Sequence, residues 1–566
     1  MSLFGVLQLA NNAMRSHMIG LQVVGQNIAN ANTPGYSREE VLLAPAPVQR
    51  VGNLTLGLGV QVDGVVQKVD RFLDERLRAS TSDRSASETQ EQAYQQLEGV
   101  MGELSEQDLS TSFNKFFASV NEILNQPESL GVRNLAALQG RTLAGDINRL
   151  GQRVGEMRAN SNDQIAKMAT DINRLTEEIR QLNVRIASTE SSDVSKSQAV
   201  GLRDQRAKKL TDLAELIDIR VEEQTSGAVN IFVNGDFLVV DGIARKVTTA
   251  FQPGEGLSKA EIRIQDTDSK LNVKSGQLAG LYAARDDILG KYLSDLDQLA
   301  NSFIFEFNKL YSSGQGMTGF QSLTGAFAAD DSAATLDEAG LKFTPTSGSF
   351  LVLVRDKQTG LTKTTDVAID LNGLDDNDTT VDQLVAQLDG IEGLAASIDP
   401  TGRLVLESDS PNIEFAFAND TSGALAAFGL NTFFTGSAAA DMAVNQVVLN
   451  DPSKFSASGT GIGAGTDNAV ALANFQTRPL AAANGASVDV LYDRLTASVT
   501  QGSSVATSVA EGFRSFEGTL QGQRLAVSGV SIDEEAVRMI TFQRAYQASA
   551  RLIQTIDELM DVLVNL

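Results

Sequence analysis

Apolar residues along this chain recur with two different periods, and the places where the period changes divide it into parts. Near the start, Leu3, Leu7, Ala10, Met14, His17, Leu21, Val24 and Ile28 step alternately by four and three, with His17 the one polar member. Near the end, Met539, Phe542, Tyr546, Ser549, Ile553, Ile556, Met560 and Leu563 do the same, broken only by Ser549. Such a heptad rhythm draws one apolar stripe along a helix and predicts a coiled-coil helix at each end. A stripe of this kind must be covered, so the two ends are expected to pack on each other or on neighbouring subunits.

A third heptad run lies inside. No proline occurs between Pro127 and Pro253, so nothing in that stretch obliges a helix to stop. Ile165, Met168, Ile172, Leu175, Ile179, Leu182 and Ile186 step by three and four without a polar break, which reads as a coiled-coil seam. Leu143, Ile147, Leu150, Val154 and Met157 keep the rhythm upstream, and the join through Ser161 to Ile165 adds a second step of four, a stutter. One helix from Leu143 to Ile186 would be roughly 66 Å long at 1.5 Å per residue.

From Ile217 to Ile264 the period falls to two, and "VNIFVNGDFLVV" sets Asn234 and Gly235 between apolar runs as a hairpin turn. Helix is expected again over 276–311. Past residue 320, alternation returns, interrupted by a short helix around "TVDQLVAQL" and by a turn at Pro400, Thr401 and Gly402. The fold class expected is multidomain, mainly α with inserted β-rich α+β parts: discontinuous nested domains, terminal coiled-coil helices, a long helical bundle and an outer β-rich domain. The expected boundaries are 1–60 with 525–566 for a terminal axial core, 61–320 with 445–524 for the helical bundle, and 321–444 for the β-rich insert. The length, 566 residues, allows three or four domains at about 150 residues each.

Composition then narrows the chemistry. Cysteine and tryptophan are absent and His17 is the only histidine, which removes thiol catalysis, disulfides, Cys/His zinc sites and haem ligation. Forty-six Lys and Arg against 71 Asp and Glu give a net charge of −25, unsuited to a phosphate backbone or an anionic membrane. Arg15 is the first basic side chain and no apolar run exceeds five residues, so neither a cleaved signal nor a membrane helix is expected. The chain is expected either to stay in the cytoplasm or to leave by a route without a cleaved signal.

Four features invite a functional reading. Residues 366–420 carry thirteen acidic side chains and one basic one, Arg403, but even Asp375-Asp376-Asn377-Asp378 lacks the ligand order of a calcium loop, which favours solvated surface charge. "GTGIGAGTDN", 459–468, has neither phosphate-loop spacing nor a cation within it and reads as a flexible connector. His17, on a seam, suits a polar register element better than a ligand or base. "NIANANTPGY", 27–36, is a sharp helix stop: Asn30 and Asn32 are poor helix formers, Thr33 is pushed out of the α region by Pro34, and Pro34 with Gly35 suits a type II turn that presents Tyr36. No catalytic, cofactor or metal residues are expected, and the chain reads as a non-enzyme.

"NIANANTPGYSRE" directly after an N-terminal heptad helix resembles the signature of the axial proteins of the bacterial flagellum, comprising rod, hook and hook-associated proteins. Residues 528–566 resemble that family's C-terminal helix. Residues 420–445, with "GLNTFFTG", and 465–476, "GTDNAVALANFQ", are similar to the hook-associated branch that joins hook to filament. The resemblance implies type III export in an unfolded state, secretion to the flagellum, and assembly as a ring layer at the hook tip. Its implied partners are other copies of the chain, the hook protein below, a second junction hook-associated protein above, and an export chaperone on the C-terminal helix; nucleic acid and membrane insertion are not implied. The subunit interface so expected comprises Leu3, Leu7, Met14, Leu21, Val24, Ile28, Asn30, Thr33, Pro34, Gly35 and Tyr36, with Met539, Phe542, Tyr546, Ile553, Ile556, Met560 and Leu563. A hook or distal rod component is the alternative, and a carboxylate hydrolase in the acidic insert the remote one.

Overall fold

The computed structural model describes residues 3–565 apart from 34, 52–53, 103–107, 191–198, 241, 255 and 375–377. In chain order, helix α1 (Leu3–Ala29) leads into strands β1 (Glu39–Pro45), β2 (Val48–Val51), β3 (Leu54–Gly57) and β4 (Val60–Gln67). Helices α2 (Arg71–Gly102), α3 (Leu109–Asn125), α4 (Leu130–Thr189) and α5 (Val200–Leu216) follow. Then come β5 (Arg220–Glu223), β6 (Val229–Val233), β7 (Asp236–Val240), β8 (Ile243–Ala244), β9 (Val247–Gly254), β10 (Leu257–Ile264) and β11 (Ser269–Lys270). Helix α6 (Gly276–Ala283), a π-helical stretch (Ala284–Gly290) and α7 (Lys291–Ser312) are continuous.

Next are β12 (Ser322–Ala328), β13 (Gly348–Asp356), β14 (Thr362–Ile369), α8 (Val381–Asp389), β15 (Leu394–Ile398), β16 (Arg403–Ser408), β17 (Ile413–Ala418) and α9 (Ala424–Phe428). The chain ends through β18 (Phe434–Thr435), β19 (Ala443–Val444), α10 (Gln446–Asn450), α11 (Asp467–Ala473), α12 (Val488–Ser528) and α13 (Ile532–Val564). Contacts group these into two compact units: Met1–Ala93 with Ala159–Asp287 and Ser504–Leu566, and Tyr94–Arg158 with Ile288–Ser503. Residues 159–287, expected in the helical bundle, thus belong with both chain ends.

In the first unit α1 packs against α13, and β1 pairs antiparallel with β4, in register from Glu39 opposite Gln67 to Pro45 opposite Val60. The internal heptad stripe is buried as its period requires, on a helix longer than expected. Its partner differs, however. Ile165, Ile172 and Ile179 share a core with Ile231 and Val239 of the β5-β6-β7-β8 sheet and with Ala260 and Ile262 of the β11-β10-β9 sheet. The two sheets thus join Leu210 and Leu213 of α5 and Leu278 and Leu281 of α6 in covering this segment, where the seam alone suggested helix. A heptad stripe specifies an apolar face, and apolar strand faces cover it as well as another helix does.

Polar side chains beside the stripe fix the register. Asn173 Nδ2 donates to Val247 O and its Oδ1 accepts from Val247 N, both at 2.8 Å. Asn183 grips Val229 in the same way (2.8 and 3.1 Å), and Asn162 spans Ser258 O and Ala260 N (3.0 and 2.6 Å). A carboxamide offers one donor face and one acceptor face, as a strand backbone does, so each asparagine acts as one more rung of ladder on the sheet. The hairpin forms where expected, with Asn234 (φ 46°) and Gly235 (φ 97°) joining β6 to β7 in the left-handed conformation of a type I′ turn.

The second unit is built round aromatic rings. Phe116 and Phe117 of α3 and Phe303 and Phe307 of α7 meet Phe433, Phe434 and Phe475, with centroids 5.1–6.4 Å apart. The "GLNTFFTG" and "ALANFQ" stretches are therefore core segments. A Cβ on Gly140 would come within 2.5 Å of the Phe433 ring, so α4 needs a glycine there. Asn308 clamps Phe434 O and the amides of Phe433 and Phe434, as the asparagines of α4 clamp their strands.

The β-rich insert also lies in this unit, as sheets β12-β16-β15 and β14-β13-β17 with α8 packed on β15 and β14. Its helix begins with a reciprocal capping box between Thr380 and Gln383, and Asp399 nucleates the 399–403 turn. Part of the acidic tract is structural: Glu414 is buried against Arg355, and Asp420 accepts the amides of Ser422, Gly423 and Leu425. Asp375, Asp376 and Asn377 lie outside the described residues. The glycine-rich loop is not the free connector expected. Gly461 N donates to Gln315 Oε1 (2.9 Å), Gly463 N to Gly316 O (3.0 Å), and Ile462 O accepts from Arg355 (3.0 Å).

Candidate functional site

The features that set this chain apart converge in the first unit, where both termini meet. Along the α1–α13 pair the close contact is made by small residues. A Cβ on Gly20 would lie 2.8 Å from the Phe542 ring, so that phenylalanine seats directly on the backbone of α1. The His17 ring lies 6.1 Å from the same phenylalanine; its Nδ1 is buried with no hydrogen-bond partner, and burial holds its pKa below the ordinary value. Ser16 turns its hydroxyl to Asn12 O and Val60 O, docking α1 on β4.

The helix-stop segment is the second half of the site. Thr33 O accepts from Tyr36 N (3.2 Å) and Gly35 has φ 83°, as a type II turn requires at its second central position. The chain then folds back along α1. Asn27 Nδ2 donates to Glu39 O (2.9 Å) and Glu535 Oε2 (3.0 Å), while its Oδ1 accepts from Glu39 N (2.9 Å) and the Tyr36 hydroxyl (2.8 Å). One buried asparagine thereby joins helix, turn, strand and the start of α13.

Glu535 is fully buried and its charge is answered by Arg38, with Nε at 2.9 Å and Nη2 at 2.7 Å; Arg38 also reaches Glu534 at 2.9 Å. Burial works against the guanidinium charge, and the two glutamates more than offset it, leaving its pKa raised. Burial raises the Tyr36 phenol, with Glu39, Asp204 and Glu535 adding to the effect, so the tyrosine stays a neutral donor. Asn30 binds locally, to Gln26 O and the Thr33 hydroxyl.

The expected interface residues divide. Val24 and Ile556 are buried; Leu3, Leu7, Met14, Leu21, Ile28, Asn30, Gly35, Tyr36, Met539, Phe542, Tyr546, Ile553 and Met560 are half-buried; Thr33 is exposed. Pro34 and the side chain of Leu563 lie outside the described residues. Much of the heptad stripe is thus occupied within the chain. A different set of apolar residues remains open: Phe4 (69% exposed) and Met18 on α1, and Val537 (65%), Ile540, Leu559 and Val562 on α13. Heptad reading passes over these because it follows one stripe per helix, and two-stripe helices hide their second face behind the first. Asn27, Arg38 and Glu535 were equally silent, since nothing local links positions roughly five hundred residues apart. Among the described residues no group of three or more His, Asp or Glu could hold a metal ion, and no helix is long and apolar enough to cross a membrane.

The model of the flagellar hook-associated protein FlgK helical domain matches residues 94–327, and that of the flagellar basal body rod FlgEFG protein C-terminal matches residues 521–566. Flagellar hook-associated protein 1 of Bacillus subtilis (strain 168) is 25% identical over 573 residues, covering 100% of this chain and 98% of its own. The flagellar hook protein FlgE of Escherichia coli (strain K12) is 44% identical over 69 residues, 12% of this chain and 17% of that protein. The structure of the flagellar hook junction protein FlgK from Burkholderia pseudomallei shares the fold, with a TM-score of 0.53 at 16% identity over 80% of this chain and 100% of that one. The helical-domain match, the C-terminal match that falls on α13, and a relative aligned from end to end make the chain similar to flagellar hook-associated protein 1 along its whole length.

Proposed function

We propose that the chain is a structural subunit of the bacterial flagellum that joins hook to filament, assembling as a ring layer after type III export. The observation that carries this reading is the open apolar face of the α1–α13 pair, beside a turn that a buried polar network holds rigid. Large apolar side chains left exposed on both of two paired helices cost free energy in water and are covered when copies associate. Residues 1–60 with 525–566 act as the axial core, and the β-rich insert faces outward with its surplus of carboxylates. The short stretch shared with a hook protein supports the hook as the neighbour below, and a second hook-associated protein is the neighbour above. An export chaperone covers α13 before secretion.

The test is a pair of substitutions, Val537→Asp with Ile540→Asp, on the open face. Cells carrying them are expected to build hooks that lack filaments, while the purified chain unfolds at the same denaturant concentration as the parent. Normal filaments would refute the assignment. For the chaperone, Leu559→Asp with Val562→Asp is expected to weaken the complex in a titration, and unchanged affinity would remove this helix as its binding site.

A further inference from the structure

The extended segment 36–39 is gripped on one side by Asn27 and on the other by α5. There Asp204 accepts hydrogen bonds from Gln67 Nε2 (2.7 Å) and from the backbone of Ser37, and the same Gln67 amide donates to Val200 O (3.0 Å). Asp204, Gln67, Ser37 and Gly35 form one wall of a cavity of about 630 Å³. Glu39, on the same segment, is 5% exposed, and its Oε2 has no hydrogen-bond partner. Two carboxyl groups therefore meet the segment, Glu39 buried and Asp204 half-buried at the cavity wall.

No ion pair among the described residues answers either of them. Arg524 of α12 reaches the cavity but pairs with Asp74 of α2 at 3.3 Å. Arg78 of α2 is flanked by Asp74 and Glu75. On α5 itself, Arg203 is taken up by Glu190 and Glu223, Arg206 by Asn183 and Gly227 O, and Lys208 is exposed. Arg38, next to Glu39, is committed to Glu534 and Glu535, and Tyr36 donates its proton to Asn27.

We propose that Glu39 and Asp204 form a proton-operated latch, which holds segment 36–39 to α5 while protonated and loosens it when both carboxyls ionise. Two carboxylates held together at a partly buried site repel; Arg524, shared with Asp74, offsets the Asp204 charge only in part, and no cation pairs with Glu39 among the described residues. Burial pushes Asp204 up to about 7, with Glu39 adding to the rise, and burial likewise raises Glu39. A raised carboxyl contributes stability that is complete below its unfolded pKa, near 4, and is lost as pH rises through about 7. The hold of α5 on segment 36–39 is thus tighter in mild acid than above neutrality. The latch goes beyond the assembly reading, and its test needs no assembly.

The experiment is native-state hydrogen exchange of the amides in 37–43 on the full chain, corrected for intrinsic exchange. The local opening equilibrium is expected to be on the order of tenfold larger at about pH 8 than at about pH 5.5, one pKa unit being a factor of ten. Asp204→Asn, which keeps an acceptor for Gln67, should flatten that dependence; if that variant does not fold, Glu39→Gln serves in its place and should reduce it. An opening equilibrium in the parent that does not change over this range overturns the latch. So does a folded Asp204→Asn chain that keeps the parent's full dependence.

Discussion

The two helical interfaces at opposite ends of this chain's economy of burial are the α1–α13 pair and the α3–α7 aromatic core. In the core, rings from α3, α7 and the segments around Phe433, Phe455 and Phe475 enclose one another, and Phe116, Phe303, Phe307, Phe433 and Phe434 are fully buried. Along the terminal pair most of the stripe is only half-buried, and large apolar side chains stand open on both helices. The first interface is complete within one chain. The second is made of helices with two apolar faces, one spent on each other and one left over. The difference shows which part of the molecule is finished as a monomer and which part has contacts still to make.

Breaking the finished side should have the largest effect. Phe433→Ala removes a ring that touches Phe116, Phe307, Tyr311, Phe434 and Phe455, and is expected to cost about 3–5 kcal/mol of the second unit's stability in urea unfolding. In the first unit, Glu535→Ala leaves the buried Arg38 only the exposed Glu534 as partner and Asn27 without one of its acceptors, with an expected loss of about 3 kcal/mol by the same measurement. Asn173→Ala leaves the amide and carbonyl of Val247 without partners and should cost about 1–3 kcal/mol. The open face sharpens the comparison from the other direction: Val537→Asp alone should alter stability by less than about 0.5 kcal/mol while lowering incorporation into flagella.

His17 gives the smallest effect. Its lowered pKa means the unfolded chain takes up a proton first, so the stability it protects is present above its unfolded pKa, near 6.5, and is lost as pH falls below that value. His17→Leu should flatten the acid side of the stability profile of the first unit, which runs opposite to the trend from Asp204.

What could be read from the sequence was what is settled locally. Asn234-Gly235, the 399–403 turn, the helix at 381–389 and the unbroken helix through 143–186 follow from turn chemistry, capping and period, and all formed. The terminal stripes were visible for the same reason. Their partners were not. Period states that a face is apolar and is silent about what covers it, so the internal seam suggests a helical partner where the chain supplies two sheets as well as parts of α5 and α6. Nor could local patterns reveal Asn27 with Glu535 or Arg38 with Ser528, because those bonds join segments almost the whole chain apart. The glycine-rich loop looked slack because its fastenings, Gln315 and Arg355, lie more than a hundred residues upstream.

The asparagine clamps have a bearing on inheritance. Asn27, Asn162, Asn173, Asn183 and Asn308 each take hold of main-chain amides and carbonyls, which every residue except proline presents alike. A fastening of that kind asks nothing of the side chain it holds. The clamp on the main chain at Val229, Val247 or Ala260 would survive a change of the side chain there, and neither salt nor acidity alters an uncharged amide. A lineage built this way can drift far in sequence while its helices and strands keep their places, and five carboxamides are the letters it can least afford to misspell.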